Sequence, residues 1–188
     1  MKTGKYFRVC LFLITVLSFL TVSGFSQDES KPTRKEIKEA RKLQLSQNYA
    51  ILDTLLTRRI FVLEADYLRD KYGNQEPVAS QINFIKFDQT RGIIQTGANS
   101  GWGTNGVGGT TAEGEIKSWE ISKNPKNLSY TVRAGLMTNL GQFDILILIS
   151  ANNHGSATLT SSYPGSLIWV GRVVPLEHAR VFKGQNAI

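Results

Sequence analysis

GWGTNG, residues 101–106, has the G-x-G-x-x-G spacing that in some proteins lets the backbone close on the pyrophosphate of a dinucleotide. That chemistry needs a helix directly after the glycines, with its free N–H groups aimed at the phosphates. Here the segment that follows is VGGTTAEG, in which glycines and β-branched threonines oppose a helix, and an alternating strand pattern comes next. Glu120 stands near the distance of a ribose-binding acid, but on that strand. No Lys-Ser or Lys-Thr pair closes the glycine run, so a phosphate-binding P-loop is excluded too. What remains is a long glycine-rich connection, GANSGWGTNGVGGTTAEG. Two readings of it stay open. Its glycines allow close strand approach with Trp102 plugging an open end, or Trp102 is an exposed aromatic anchor of a binding loop.

The other reactive groups are sparse. Glu64 and Asp66 share a strand face in VLEADY and could flank a sugar as an acid and base, although such neighbours are ordinarily solvated or paired with Arg69 or Lys71. His154 and His178 are too few and too far apart in sequence to build a zinc site without acidic help. No serine sits in a G-x-S-x-G elbow, and the single cysteine, Cys10, lies at the start of an apolar run near the N-terminus. No catalytic constellation, metal site or cofactor is therefore expected.

The elements that must position these residues begin with that apolar run. Lys2, Lys5 and Arg8 precede an apolar stretch from Val9 to Leu20 and then small residues, the three-part pattern of a secretory signal. Cleavage after Ser26, or after Gly24, would release it. The competing reading is a retained anchor, for which the run is shorter than the roughly 20 residues that span a bilayer. With the signal go the only thiol and three cations, and the formal charge of +7 falls by three to +4. Disulfides, a cysteine nucleophile and thiolate metal sites go with it. The basic run KPTRKEIKEARK, residues 31–42, could touch nucleic acid or anionic lipid. Its interleaved Glu36 and Glu39 favour a solvated helix face, and export argues against nucleic acid.

Residues 1–26 thus read as a signal, 27–33 as a flexible linker, 34–57 as a helix and 58–188 as a β domain. The helix carries an apolar stripe at Leu45, Tyr49, Leu52 and Leu56. After Arg58 the period changes to two. Strands are expected at 61–67, 82–87, 91–96, 114–121, 128–136, 142–150, 156–160 and 166–174, separated by Gly, Asn and Pro turns. Eight evenly spaced strands without intervening helices predict a mainly β fold. It would be an antiparallel β-sandwich or a curled, barrel-like sheet with the helix packed on it. From Phe143 to Ile149 only Asp144 is polar, so both faces of that strand need cover, and the expectation is that the Leu45 to Leu56 stripe lies across its outside.

The segments FVLEADYLRDKYGN, INFI, TNGVGGTTAEG, SATLT and GRVVPLEHARVFKG, in that order between about residues 36 and 184, resemble domain-of-unknown-function family 4251. Its members are secreted proteins of Gram-negative bacteria. The most specific pieces are N-G-V-G-G at Asn105 to Gly109, V-P-L-E at Val174 to Glu177 and V-F-K-G at Val181 to Gly184. The family often has a proline before N-G-V-G-G, where this chain has Trp102 to Thr104. The resemblance implies a periplasmic or secreted protein with a charged front helix, and supplies no activity. The leading expectation is a non-catalytic binding protein holding a small apolar or amphipathic ligand at the open end of the β-structure, with Asn99, Trp102, Asn105 and Arg172 as contacts. The alternatives are an envelope interaction module on a solid scaffold and, third, a carbohydrate-active enzyme. No nucleic-acid partner and no membrane span after signal removal are expected.

Overall fold

Thr33 and Glu36 open the first element with a capping box. The Thr33 N–H donates to Glu36 Oε2 at 2.7 Å, and the Glu36 N–H donates to Thr33 Oγ1 at 3.3 Å. The helix so begun, α1, runs Arg34–Arg58. It stops because Arg59 adopts the left-handed region with φ of 58°, a common helix terminator, while its carbonyl accepts the Gln89 N–H at 2.9 Å. The computed structural model of the chain describes residues 31–98, 107–161 and 166–186.

Among the described residues nine strands follow: β1 Ile60–Asp70, β2 Gln75–Pro77, β3 Phe84–Asp88, β4 Arg91–Gln95, β5 Thr111–Asn124, β6 Ser129–Thr138, β7 Gly141–Ser150, β8 His154–Ser161 and β9 Ser166–Pro175. Every pairing is antiparallel, and the order β1-β3-β4-β5-β6-β7-β8-β9 closes through β1–β9 into an eight-stranded barrel. β1 makes closure possible by length. Its first half pairs with β3, nearly all of it pairs with β9, and a bulge between Ala65 and Tyr67 turns it around the wall. β2 is an added strand against Tyr67 to Arg69. Between a sandwich and a curled sheet, the fold is the barrel.

Alternation decides what fills it. Phe61, Leu63 and Ala65 of β1, Ile85 and Phe87 of β3, Val132, Ala134 and Leu136 of β6, and Ile145, Ile147 and Ile149 of β7 face inward with Trp169 and Val173 of β9. An eight-stranded barrel is just wide enough for such side chains to occupy. Leu52, Leu55 and Leu56 of α1 belong to this same inward cluster, and Tyr49 stacks on Tyr130 of β6 with ring centroids 4.5 Å apart. The Tyr130 hydroxyl donates to the Tyr49 carbonyl at 3.0 Å, and Lys123 of β5 pairs with Asp53 at 2.6 Å. Burial above all, with Tyr49 and Asp53 beside it, holds the Tyr130 hydroxyl far above its ordinary pKa, so it stays a donor. The helix therefore spans the mouth of the barrel, from β1 to β6 on the opposite side. This corrects the expectation that it would lie on the outside of residues 143–149. Leu148, on that outer face, remains 50% exposed.

Candidate functional site

Asn99, Trp102 and Asn105 lie outside the described residues, but the base of their loop is defined. It continues the β4–β5 ladder, with the Thr96 N–H donating to Thr110 O and the Ala98 N–H to Val107 O, both at 2.9 Å. Buried Asn83 grips the near strand, accepting from the Gly97 N–H at 2.9 Å and donating to the Gly97 carbonyl at 3.0 Å. Glycine is required opposite. A Cβ on Gly109 would stand 2.2 Å from Thr96 O, and Gly108, with φ of +78°, would place one 2.4 Å from Ala98 O. The last two glycines of N-G-V-G-G thus shape a loop base, and β5 follows where a phosphate site would need a helix.

Arg172 faces outward from β9, opposite Glu64 and His154, and its Nε lies 3.8 Å from Asp66 Oδ2. It does not line the barrel interior. Glu64 is also engaged: its Oε1 accepts the Arg180 N–H at 3.0 Å. Among the described residues no group of three or more His, Cys, Asp or Glu could hold a metal ion, and no helix is long and apolar enough to cross a membrane.

Four of the five segments that carry the family resemblance contribute to one outer wall, over β1, β3, β4 and β5, while SATLT lies on β8. Outward-facing Val62, Phe84 and Ile93 would be wet there, but the chain after β9 crosses them as a strap. Leu176, Ala179 and Val181 supply its apolar contacts. The hinge of its attachment is Gln95, buried completely and fully used. Its Nε2 donates to Ile82 O at 3.1 Å and Phe182 O at 2.8 Å. Its Oε1 accepts the Thr111 hydroxyl at 3.0 Å and the Gly184 N–H at 2.8 Å. Glu113, two residues after Thr111, holds Arg91 at 2.8 Å, Lys183 and Asn186. Lys183 foremost keeps the Glu113 carboxyl below its ordinary range. Sequence reading caught V-F-K-G as a signature and missed its role, because this segment bonds through its backbone and has no periodicity.

Among the described residues the opposite wall, the outer face of β6 to β9 with the end of β1, has no such cover. Leu148, Ser156, Val170 and Tyr67 stand in one cross-strand row, and Leu146, Thr158 and Ile168 in the next. Leu148 is 50% and Tyr67 41% exposed. Beside them a depression of about 240 Å³ is lined by Ser118, Arg133, Asp144, Leu146 and Thr160. It exists because β5 bulges between Ile116 and Ser118 and Gly135 opposite has no side chain; a Cβ there would stand 2.5 Å from Ser118 Oγ. Among the described residues the side chains of Arg133 and Asp144 make no hydrogen bond or ion pair. This wall offers apolar area with unpaired charge of both signs.

The family model for DUF4251, described as a domain of unknown function, matches residues 43–173. A crystal structure of a DUF4251 family protein from Bacteroides eggerthii is similar to this chain at 24% identity, with a TM-score of 0.62. The match covers 74% of this chain and 96% of that one. At that identity the likeness concerns the fold. Among curated proteins, none matches the chain.

Proposed function

We propose that this chain, which belongs to the DUF4251 family, works as an exported, non-catalytic interaction module whose barrel is a solid scaffold and whose docking surface is the outer wall of β6 to β9. Export rests on the signal pattern of residues 1–26. One contrast carries the reading: equivalent outward apolar residues are sealed on one wall, where Val62, Phe84 and Ile93 are 0–7% exposed under the strap, and left open on the other. A chain that covers one apolar face with its own strap and leaves its counterpart wet has a surface available to another molecule. The inward positions support docking over carriage of an internal ligand, since Phe61, Phe87, Tyr130, Leu136 and Trp169 are at most 2% exposed. Glu64 and Asp66 give little support to sugar chemistry, because one is tied to the strap and the other faces Arg172.

The test places a photo-crosslinking amino acid at Leu148 in the native host, with Phe182, 62% exposed on the opposite wall, as the control position. A discrete adduct from Leu148 that is absent from Phe182 supports the wall. No adduct at Leu148, together with an extra mass in native mass spectrometry that departs on denaturation, would return the weight to a ligand at the loop end.

A further inference from the structure

The stripe that seats α1 in the barrel mouth uses one side of the helix and leaves the opposite side over. At about 100° per residue, Leu45, Tyr49, Leu52 and Leu56 share one arc. Ala40, Leu43, Gln44, Gln47, Ala50 and Ile51 share another, about 120° wide, centred on Gln47 and directly opposite the first. All six are exposed, Leu43 at 61% and Ile51 at 54%. The charges of the same stretch, Lys38, Glu39, Arg41, Lys42 and Asp53, all fall outside that arc. Charged residues ordinarily occupy the outward face of a surface helix. Here that face is a neutral seam of aliphatic, alanine and glutamine side chains.

The seam complements itself when two copies lie antiparallel about a twofold axis at Gln47. Residues equally far before and after Gln47 then come level. Leu43 meets Ile51, Gln44 meets Ala50, and the Gln47 amides, each both donor and acceptor, bond reciprocally. Ala40 and Ala50 let the two axes approach closely. Charge closes the ends. Glu36 and Arg58 fall on the same arc, in the first and last turns and equally far from Gln47, so each meets its opposite in the other copy. Both are exposed, and neither makes an ion pair among the described residues. A parallel pair would instead set the two cationic stretches, with Lys38, Arg41 and Lys42, side by side.

We propose that a second copy of this chain docks on this seam, forming an antiparallel, twofold-symmetric helix pair with a barrel behind each helix. From Glu36 to Arg58 the contact is roughly 33 Å long and about 10 Å wide, or about 330 Å² per copy. A standard interface takes about 800 Å² per partner, so the pair is weak and forms at micromolar concentrations. The inference goes beyond the docking reading of the β6 to β9 wall and does not depend on it.

Sedimentation equilibrium of the processed chain, from about 1 to about 200 µM, reads the pairing, and the parent should dimerise with a dissociation constant on the order of tens of micromolar. L43E and I51E change exposed positions and should each weaken the dimer by about tenfold or more, while Y72E, at an exposed apolar residue in the β1–β2 turn, should not. E36K and R58E should each weaken it about tenfold. An equimolar mixture of those two variants should pair like the parent, because both end contacts then regain opposite charges. Glu36 and Arg58 lie roughly 33 Å apart along one helix, so only a second copy couples them. Circular dichroism checks that every variant keeps its fold. A parent that stays monomeric at the highest concentration, a dimer indifferent to L43E and I51E, or a mixture no tighter than either variant alone overturns the proposal. A dimer lost in L148D but kept in L43E also overturns it, and assigns pairing to the open wall.

Discussion

Replacing Gln95 with Leu tests whether one side chain fastens the strap. Leucine has nearly the volume of glutamine but no polar atoms, so the change leaves packing in place and removes four buried hydrogen bonds, to Ile82, Phe182, Thr111 and Gly184. At roughly 1 kcal/mol net for each, the direct loss is about 4 kcal/mol. If the strap stayed docked, its orphaned carbonyl and N–H would each cost a further 1–3 kcal/mol or so. Releasing residues 180–186 instead rehydrates them, at the cost of exposing Val62, Phe84 and Ile93. The Q95L protein should therefore keep its barrel and lose its strap. Hydrogen exchange is the assay. The amides of Arg180, Phe182 and Gly184, which donate to Glu64, Gln81 and Gln95, should lose protection, while those of β6 and β7 keep it. Unchanged protection at Phe182 and Gly184, with a loss of stability under about 1 kcal/mol, would mean that the apolar contacts of Val181 and Ala179 suffice and that Gln95 fastens nothing.

The same attachment should respond to acid. Because the folded pKa of Glu113 lies below its ordinary value of 4.5, its contribution is complete above that pH and is lost as pH falls through the lowered value. Exchange of the strap amides should accelerate there in the parent and respond less to pH in E113Q. Tyr130→Phe removes the hydrogen bond to the Tyr49 carbonyl and should cost about 1 kcal/mol in urea melts, whereas Tyr49→Phe removes a buried hydroxyl without a partner among the described residues and should cost nothing or stabilise. Gly109→Ala drives a Cβ toward Thr96 O and should destabilise by about 2–3 kcal/mol; a parent-like melt would show that the loop base yields. Changing Leu52 and Leu56 together to Asp puts two charges into the barrel mouth and should unfold or aggregate the protein, visible as loss of its melting transition.

The strands were legible because alternation, apolar runs and turn residues are local properties, and each of the eight barrel strands overlaps a segment expected to be a strand. β2 was not, since Gln75–Pro77 is three residues ending in proline and reads as a turn. Barrel closure depends on β1 pairing on both sides, which needs the register of residues more than a hundred apart. The helix stripe was visible at Leu52 and Leu56, but its destination was misjudged. An all-apolar β7 suggested a strand needing a cover, when in fact Ile145, Ile147 and Ile149 face inward and Leu146 and Leu148 stay partly wet. Of the candidate site, the glycine segment drew attention for its spacing, while the unpaired Arg133 and Asp144 are unremarkable in sequence. They become a pair of free charges only once the bulge at Ser118 and the bare Gly135 open the surface beside them.

The division between the two walls also bears on what the family signature means. Gly108 and Gly109 shape the loop base, Asn83 and Thr111 serve the Gln95 region, and Glu64, Glu113, Val181, Lys183 and Gly184 belong to the strap contacts. These segments specify how one wall is closed. The open wall draws on Arg133, Asp144, Leu146 and Leu148 outside the segments that carry the resemblance, and on Tyr67 of FVLEADYLRDKYGN and Ser156 and Thr158 of SATLT within them. A signature concentrated on the covered wall identifies a scaffold, and a scaffold can persist while the exposed wall changes its residues and its partner. The relative from Bacteroides eggerthii separates the possibilities. If its chain places unpaired charges and apolar residues at the corresponding wall, the two proteins share a partner chemistry. If it keeps the strap and loses these residues, the family shares a framework, and each member's function has to be read from its own open face.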